Sequence, residues 1–280
     1  MPSFKLLLFG CLVTGTLSAR AQVLLFAQDF ATGGTPAAYA SGSPGTGQWN
    51  AISTTGANKA WTVDSGALQL SSVGSHSAYA SRTADFLITA TAIRVTFDLA
   101  FVSSATALTS AFQMFLGSGF STNNAAEANA DTYAKFGLNF TASDGFVVRD
   151  ISGASNGAAT FGTGIHAITW VLNNTGSTLA YLAPDGSTET LGNDAYDLWV
   201  GTSRQLNERT VTNGAQTMTD WKFGASGSGT YSLGLDNFVV TAIPEPATAP
   251  LLAAGFIVVL GLLARRAREK PAKRSLGRFH

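Results

Sequence analysis

The chain has 280 residues, with 17 basic and 17 acidic side chains, three histidines and one cysteine. A single cysteine excludes an intramolecular disulfide and a thiolate metal cluster, and so few histidines argue against a histidine-rich metal site. The residues from 22 to 242 carry eight basic and fifteen acidic side chains, and this negative balance argues against DNA or RNA as a partner.

The first 21 residues have the pattern of a secretory signal peptide. Lys5 precedes the apolar run LLLFGCLVTGTL, and the small residues Ala19 and Ala21 stand at the two positions that a signal peptidase reads. We predict export through the Sec machinery and cleavage by signal peptidase before Gln22; the alternative is an uncleaved signal anchor. The cysteine lies in the apolar run, so the mature chain would contain none.

Residues 22–242 are predicted to form one all-β ectodomain, an antiparallel jelly-roll-like sandwich. Short apolar or alternating segments are separated by turn-rich ones, and no stretch has sustained helical periodicity. The clearest strand is predicted at 93–103, where apolar residues alternate with polar ones and so share one face. Ten or more strands over about 220 residues fit one sandwich better than two domains.

Turn signals divide this region. Asp64-Ser65-Gly66 and Asp144-Gly145 predict tight turns between neighbouring antiparallel strands. Near the carboxyl end, 217–225 and 232–242 are predicted as two separate strands, and the glycine- and serine-rich segment 224–229 reads as a loop between them.

The sequence contains no motif typical of catalysis. The glutamates Glu127, Glu189 and Glu208 lie in or beside predicted loops, which favours solvated turn acids. Asp194 and Asp197 are three residues apart, so in an extended chain they point to opposite faces. There is neither a nucleophile elbow nor a glycine-rich loop that leads into a helix. We therefore predict no enzymatic activity.

Five tryptophans offer flat surfaces on which sugar rings stack. Trp170, Trp199 and Trp221 lie within strand patterns and are predicted to belong to the core. Trp49 follows the long Gly-, Ser- and Pro-rich segment 31–47, so it is the candidate for an exposed sugar-stacking platform.

The carboxyl-terminal region has three consecutive parts. Pro244, Glu245 and Pro246 come first, followed by an uncharged apolar stretch, 247–264, and then by a basic tail, 265–280. Eighteen helical residues span roughly 27 Å, close to the ~30 Å hydrocarbon core of a bilayer. Positive flanks stay on the cytoplasmic side, so we predict a transmembrane helix with its tail inside the cell and the ectodomain outside. The basic residues directly after the span are Arg265, Arg266 and Arg268.

The order Pro244-Glu245-Pro246, apolar span and Arg265-Arg266 resembles the PEP-CTERM sorting signal of exported bacterial proteins. This resemblance implies that an exosortase-type membrane peptidase recognises the Pro-Glu-Pro segment and releases or transfers the ectodomain. It also implies a place at the cell surface or in the extracellular matrix, in the company of extracellular polysaccharide. The alternative is a permanent membrane anchor without processing.

The ectodomain resembles the concanavalin A-like lectin and glucanase sandwiches. The residues that carry this resemblance are VTFDLAF (95–101), DLWVG (197–201), TDWKFGA (219–225) and LDNFVV (235–240). It implies either a structural or carbohydrate-associating role or, as the alternative, a polysaccharide hydrolase. Glucanases of this type carry their carboxylates on alternate residues of one strand, and no such run occurs here.

Sandwiches of this type often bring the first and last strands side by side. That would place Asp29 near Asp236 and Asn237, whose oxygen atoms suit calcium. A structural calcium ion is thus a candidate cofactor, and simple capping of the strand ends is the alternative.

Overall fold

A computed structural model describes residues 22–55 and 59–244, which form fifteen β-strands and one short 3-10 helix, Pro36–Tyr39. The strands are β1 Val23–Gln28, β2 Ala51–Thr55, β3 Lys59–Asp64, β4 Ala67–Arg82, β5 Ala92–Ser104, β6 Leu108–Gly117, β7 Thr132–Phe140, β8 Phe146–Asp150, β9 Ser155–Phe161, β10 Gly164–Asn173, β11 Leu179–Leu182, β12 Thr188–Leu191, β13 Ala195–Val200, β14 Ser203–Thr210 and β15 Asp220–Ala242.

Several predictions concern residues outside these ranges. They are the signal peptide (1–21), Glu245 and Pro246 of the sorting motif, the transmembrane helix (247–264) and the basic tail (265–280). Among the residues that the structure describes, there is no helix long and apolar enough to cross a membrane.

Two long strands, β4 and β15, organise the fold. They pair antiparallel from Trp221 to Leu235 on β15. The first part of β15 also pairs with β6, and its second part pairs with β5. Strand β1 pairs with the last residues of β15. Because its two halves have different neighbours on the same edge, β15 belongs to both layers of the molecule.

We name the two layers sheet I and sheet II. Sheet I has the order β14-β13-β10-β5-β15, continued by β1 and by the first part of β4 with β3. Sheet II has the order β9-β8-β7-β6-β15, continued by the second part of β4 with β2. All these pairings are antiparallel.

Aromatic contacts show that the two sheets pack face to face. Phe136 on β7 lies with its ring centroid 5.0 Å from that of Trp170 on β10, and Phe101 on β5 lies 5.1 Å from Phe140 on β7. These strands are far apart in hydrogen-bonding order, so the contacts require one sheet to lie over the other. The predicted all-β antiparallel sandwich is confirmed.

The alternation in β5 explains how the sequence specifies this packing. Ile93, Val95, Phe97, Leu99 and Phe101 are all at most 2% exposed, and the residues between them are partly exposed. One face of the strand therefore enters the core, as predicted from the period of two.

The prediction of two separate strands near the carboxyl end was wrong. Residues 224–229, predicted as a loop, continue β15 without a break, and each pairs with a residue of β4 between Tyr79 and Gly74. Glycine and serine are weak strand formers alone, but here the backbone ladder to β4 fixes the extended conformation.

The outer faces of both sheets are partly covered. On sheet I, the hairpin β11–β12 packs Leu179 and Leu191 against Val171 and Trp199. On sheet II, the loop 118–131 between β6 and β7 brings Phe120 against Tyr79 and Phe115.

Candidate functional site

The uncovered part of the outer face of sheet I carries a pair of carboxylates. Asp98 on β5 stands directly opposite Asp236 on β15 in the antiparallel register. Both residues are partly exposed. Directly opposed side chains lie about 5 Å apart at their Cβ atoms, so two like charges at this position repel each other.

Asn237 holds this pair in place through a β-bulge. The register between β15 and β5 shifts after Asp236, and Asn237 has a left-handed backbone with φ of 52°. Asparagine tolerates this region better than most residues. Its Nδ2 donates a hydrogen bond of 2.8 Å to Oδ2 of Asp98. The bulge thus places an amide donor between the two strands and beside both carboxylates.

Strand β1 brings a third carboxylate to the same region. Gln28 pairs with Phe238, so Asp29 follows β1 beside the bulge. An open cleft of about 440 Å³ lies here, and its lining includes Gln28, Asp29 and Asn237. The cleft therefore has two amide side chains and one carboxylate at its wall, with Asp98 and Asp236 next to it.

The electrostatics of the site follow from this crowding. Partial burial raises the pKa of Asp236 above its usual value, and the charges of Asp98 and Asp29 add to the rise. The N–H of Asn237, 2.6 Å from Oδ1 of Asp236, acts in the opposite direction. A site of this kind attracts hydrogen-bond donors and cations.

The calcium candidates lie on or directly after strands that are adjacent in the structure, because β1 pairs with the end of β15. Asp29 and Asn237 line one cleft, and Asp236 directly precedes Asn237. Within residues 22–55 and 59–244, no group of three histidine, cysteine, aspartate or glutamate side chains has the geometry to hold a metal. A calcium ion held by these three residues remains a prediction.

The prediction that Trp49 offers an exposed sugar platform was wrong. Its side chain is 0% exposed. The ring stacks on Phe30 at a centroid distance of 5.5 Å and contacts Phe26 and Trp221 at 5.0 and 5.8 Å. The backbone N–H of Trp49 donates to the carbonyl oxygen of Tyr39 at 2.9 Å. The preceding loop therefore folds back and turns the indole ring inward. The burial predicted for Trp170, Trp199 and Trp221 is confirmed.

A second cleft, of about 380 Å³, lies between the end of β8 and β14. Its lining includes Asp150, Glu208 and Arg209. Oδ1 of Asp150 already accepts hydrogen bonds from the Tyr196 hydroxyl at 3.1 Å and from the Gly153 N–H at 2.9 Å. Because this carboxylate is 3% exposed and satisfied by the protein, we assign it a structural role.

Asp98 was not among the carboxylates predicted from the sequence. The predicted arrangement places acidic residues on alternate positions of one strand, whereas the structure pairs residues of two strands that are far apart in the chain. Within the sequence, Asp98 is only one polar residue in an alternating strand, and nothing there signals its partner.

No protein-family model and no curated protein matches the chain. Among solved structures, the conserved carbohydrate esterase from the Shiga toxin-encoding bacteriophage phi24B is similar, with 10% identity and a TM-score of 0.51 over 80% of this chain and 100% of that chain. Domain 4 of an extracellular arabinanase from Geobacillus stearothermophilus has 11% identity and a TM-score of 0.44 over 80% of this chain and 94% of that domain.

A sialidase has 12% identity and a TM-score of 0.44 over 66% of this chain, which spans 16% of that chain's length. At such identities, the similarity to the phage esterase shows a shared antiparallel β-sandwich fold.

Proposed function

We propose that residues 22–242 are a non-catalytic, carbohydrate-associating sandwich that is exported to the cell surface or extracellular matrix. The observation that carries the proposal is the cleft between β1 and β15, lined by Gln28, Asp29 and Asn237. The phage protein that shares this fold is described as a carbohydrate esterase, which supports a carbohydrate ligand.

The chemistry of the cleft suits sugar hydroxyl groups. A hydroxyl is both a donor and an acceptor, so it can donate to the carboxylate of Asp29 and accept from the amides of Gln28 and Asn237. Each amide nitrogen already donates one hydrogen bond, to the Gly47 carbonyl and to Asp98 respectively, so the hydroxyl would accept from the second N–H of each. Hydrogen bonds to a charged acceptor are stronger than neutral ones. All five tryptophans are buried, so the recognition proposed here relies on hydrogen bonds rather than on tryptophan stacking.

Affinity electrophoresis of the exported protein in gels with soluble polysaccharides tests this proposal. We expect at least one polysaccharide to retard the protein. We expect Asn237→Ala to raise the dissociation constant for that polysaccharide about tenfold, because one hydrogen-bond donor is lost. The control is Asp64→Asn, at the exposed carboxyl end of β3. If no polysaccharide in a broad panel retards the wild type, or if both variants behave alike, the cleft is not a carbohydrate site.

Calcium would bind the same cleft through Asp29, Asp236 and Asn237. Added calcium is then expected to raise the unfolding temperature of the wild type and to leave Asp236→Asn much less changed, since binding to the folded state stabilises it. Equal shifts in both proteins would remove calcium from the proposal.

We further propose that an exosortase-type peptidase acts at Pro244-Glu245-Pro246. Directly before this motif, Ile243 is 9% exposed and its N–H bonds to the Ala92 carbonyl at 2.9 Å. The ordered sandwich therefore reaches the first residue of the motif. The mass of the mature protein tests this: loss of the chain beyond the motif supports sorting, and retention of His280 means a permanent anchor.

A hydrolase is the alternative function, and the pairing of Asp98 with Asp236 is the observation in its favour. Two carboxylates on one face, one with a raised pKa, are the minimum that acid–base cleavage of a glycosidic bond requires. Steady release of reducing ends from a glucan panel, abolished in Asp98→Asn and Asp236→Asn, would replace the binding proposal with this one.

A further inference from the structure

The loop 118–131 is held on sheet II by hydrogen bonds from one buried amine, Nζ of Lys222. Lys222 on β15 is 0% exposed, and its Nζ lies 2.5 Å from Oε1 of Glu127. The same nitrogen is 2.8 Å from both Oδ1 and the carbonyl oxygen of Asn123, and 3.2 Å from the carbonyl oxygen of Ser121. The ring of Tyr79 covers it at 5.4 Å.

Lys222, Asn123 and Glu127 supply the parts of an amide-forming reaction. They are, in this order, an amine, a carboxamide and a carboxylate that can accept a proton. An amine attacks only when it is unprotonated. Burial lowers the pKa of Lys222, and the nearby Glu127 charge acts against this. The neutral amine is therefore more accessible here than on a solvated lysine, and Glu127 stands at the distance of a direct proton transfer.

We propose that Lys222 and Asn123 become joined by an intramolecular amide bond, with Glu127 as the proton carrier. Glu127 takes a proton from the Lys222 ammonium, and the neutral Nζ attacks Cγ of Asn123. The new Nζ–Cγ bond forms, the Cγ–Nδ2 bond breaks, and the nitrogen leaves as ammonium after receiving the protons that Lys222 has given up. The exchange of one amine for another needs neither an oxidant nor a reductant.

The loop around Asn123 is already fixed for this step. Oδ1 of the next residue, Asn124, accepts the Tyr79 N–H at 3.0 Å, and its Nδ2 donates to the Ser77 carbonyl at 2.7 Å. On the acid side, Ser121 donates from its N–H and its hydroxyl to Glu127. Holding reacting groups in place in this way removes much of the entropic cost of their meeting.

The solvent side of the site suits the leaving group. Asn123 is exposed, whereas Lys222 is enclosed, so the released ammonium enters water directly. The product would link the loop between β6 and β7 to β15, and so close a covalent ring that includes β7 to β14. In a chain with one cysteine, this is a covalent cross-link that does not depend on disulfide chemistry.

Peptide mass spectrometry of the purified exported protein tests the link. We expect a branched peptide that contains both Asn123 and Lys222, with a mass about 17 Da below the sum of its two parts. The branched peptide is the decisive readout, because cyclisation of an amino-terminal Gln22 would also lower the intact mass by about 17 Da.

Variants separate the link from the mere ion pair. Glu127→Gln keeps the shape of the side chain but cannot take the proton, so its peptides should be unbranched; Asn123→Ala should behave likewise. Glu189→Gln removes a different ion-paired glutamate, 2.9 Å from Arg204, and should retain the branched peptide. Circular dichroism checks that each variant is folded. Two separate, unmodified peptides from the folded wild type would overturn the proposal.

Discussion

Asp197 shows how one buried carboxylate holds several elements together. It is 0% exposed; Oδ2 accepts the Tyr181 hydroxyl at 2.5 Å, and Oδ1 accepts the Glu208 N–H at 2.6 Å. Arg204 lies 3.5 Å away and supplies the opposite charge. The carboxylate therefore connects β13 to the covering hairpin and to the bulged edge strand β14.

Removing this carboxylate should be costly. We expect Asp197→Ala to lower the free energy of unfolding by about 2–5 kcal/mol, because the Tyr181 hydroxyl and the Glu208 N–H lose their acceptor. The Arg204 charge keeps its ion pair with Glu189 at 2.9 Å. Tyr181→Phe removes two hydrogen bonds, the one that the hydroxyl donates to Asp197 and the one that it accepts from Nε1 of Trp199, and should cost about 1–3 kcal/mol. Urea denaturation measures both, with the exposed turn variant Asp64→Asn as the control. Similar midpoints for Asp197→Ala and Asp64→Asn would contradict the structural role.

Asp220 predicts a specific pH dependence of stability. It is 2% exposed; burial raises its pKa to about 6, and the charge of Asp85 adds to the rise. The folded state thus binds this proton more tightly than the unfolded state, whose pKa is near 3.8. The stabilisation is complete below pH 3.8 and is lost as the pH rises through about 6, in total on the order of 3 kcal/mol.

The variant Asp220→Asn should not lose stability between pH 3.8 and about 6, because residue 220 then has no carboxyl group to ionise. Its amide oxygen can still accept the Phe120 N–H, which lies 2.9 Å from the carboxylate in the wild type. We therefore expect the variant to be more stable than the wild type at pH 7 and about equal to it below pH 4. Urea unfolding of both proteins at several pH values gives this difference, and a constant difference across that range would refute the assignment.

At the scale of residues, the sequence predicted burial where strand periodicity assigned a face. Trp170 and Trp221 lie in such patterns, and their burial is confirmed. Trp49 has no such pattern around it, and only the folded loop shows that its ring fills the space between Phe30 and Trp221. The candidate site depends on Asp98 meeting Asp236, and a pairing between distant strands leaves no local signal.

At the scale of elements, β15 offers a matched pair of glycine substitutions. A Cβ at Gly224 would collide with the Ala78 carbonyl oxygen and lie 2.5 Å from Cδ1 of Tyr79, whereas one at Gly234 would have Ala100 Cβ, at 3.5 Å, as its nearest neighbour. We expect Gly224→Ala to cost about 1–3 kcal/mol and Gly234→Ala to be neutral or stabilising by a few tenths. Thermal unfolding distinguishes them, and equal melting temperatures would contradict the packing described here.

The covering hairpin β11–β12 provides another matched pair. Leu191, on β12, points towards sheet I and is 0% exposed, whereas Leu182, on β11, is 62% exposed. Leu191→Ala should lower the free energy of unfolding by about 2–5 kcal/mol, and Leu182→Ala should change it by less than about 0.5 kcal/mol. Denaturant midpoints measure both. A small effect of Leu191→Ala would mean that the hairpin does not rest on sheet I as described.

Strand prediction succeeded where turns and alternation were both present. The turns at Asp64-Ser65-Gly66 and Asp144-Gly145 separate β3 from β4 and β7 from β8, as predicted. The edge strands β9 and β14 were not predicted, since their sequences, SNGAATF and SRQLNERT, lack apolar alternation. Their backbone is extended because neighbouring strands bond to it.

At the scale of the whole molecule, the sandwich class was predictable, but the sharing of β4 and β15 between its sheets was not. Truncation after Ser228 tests the importance of this sharing. We expect the shortened chain to lack a cooperative unfolding transition, because it loses the partners of β1 and of the β15-facing edge of β5. A sharp transition in circular dichroism would show that the remaining strands are sufficient.

The position of β15 also has a consequence for biosynthesis. During synthesis this segment emerges after the other strands that the structure describes, yet β1, β4, β5 and β6 all need it as a neighbour. The nascent chain therefore exposes unpaired strand edges to proteases until β15 has been synthesised. A chain that stops before β15 is therefore expected to be degraded rather than to fold as a smaller domain.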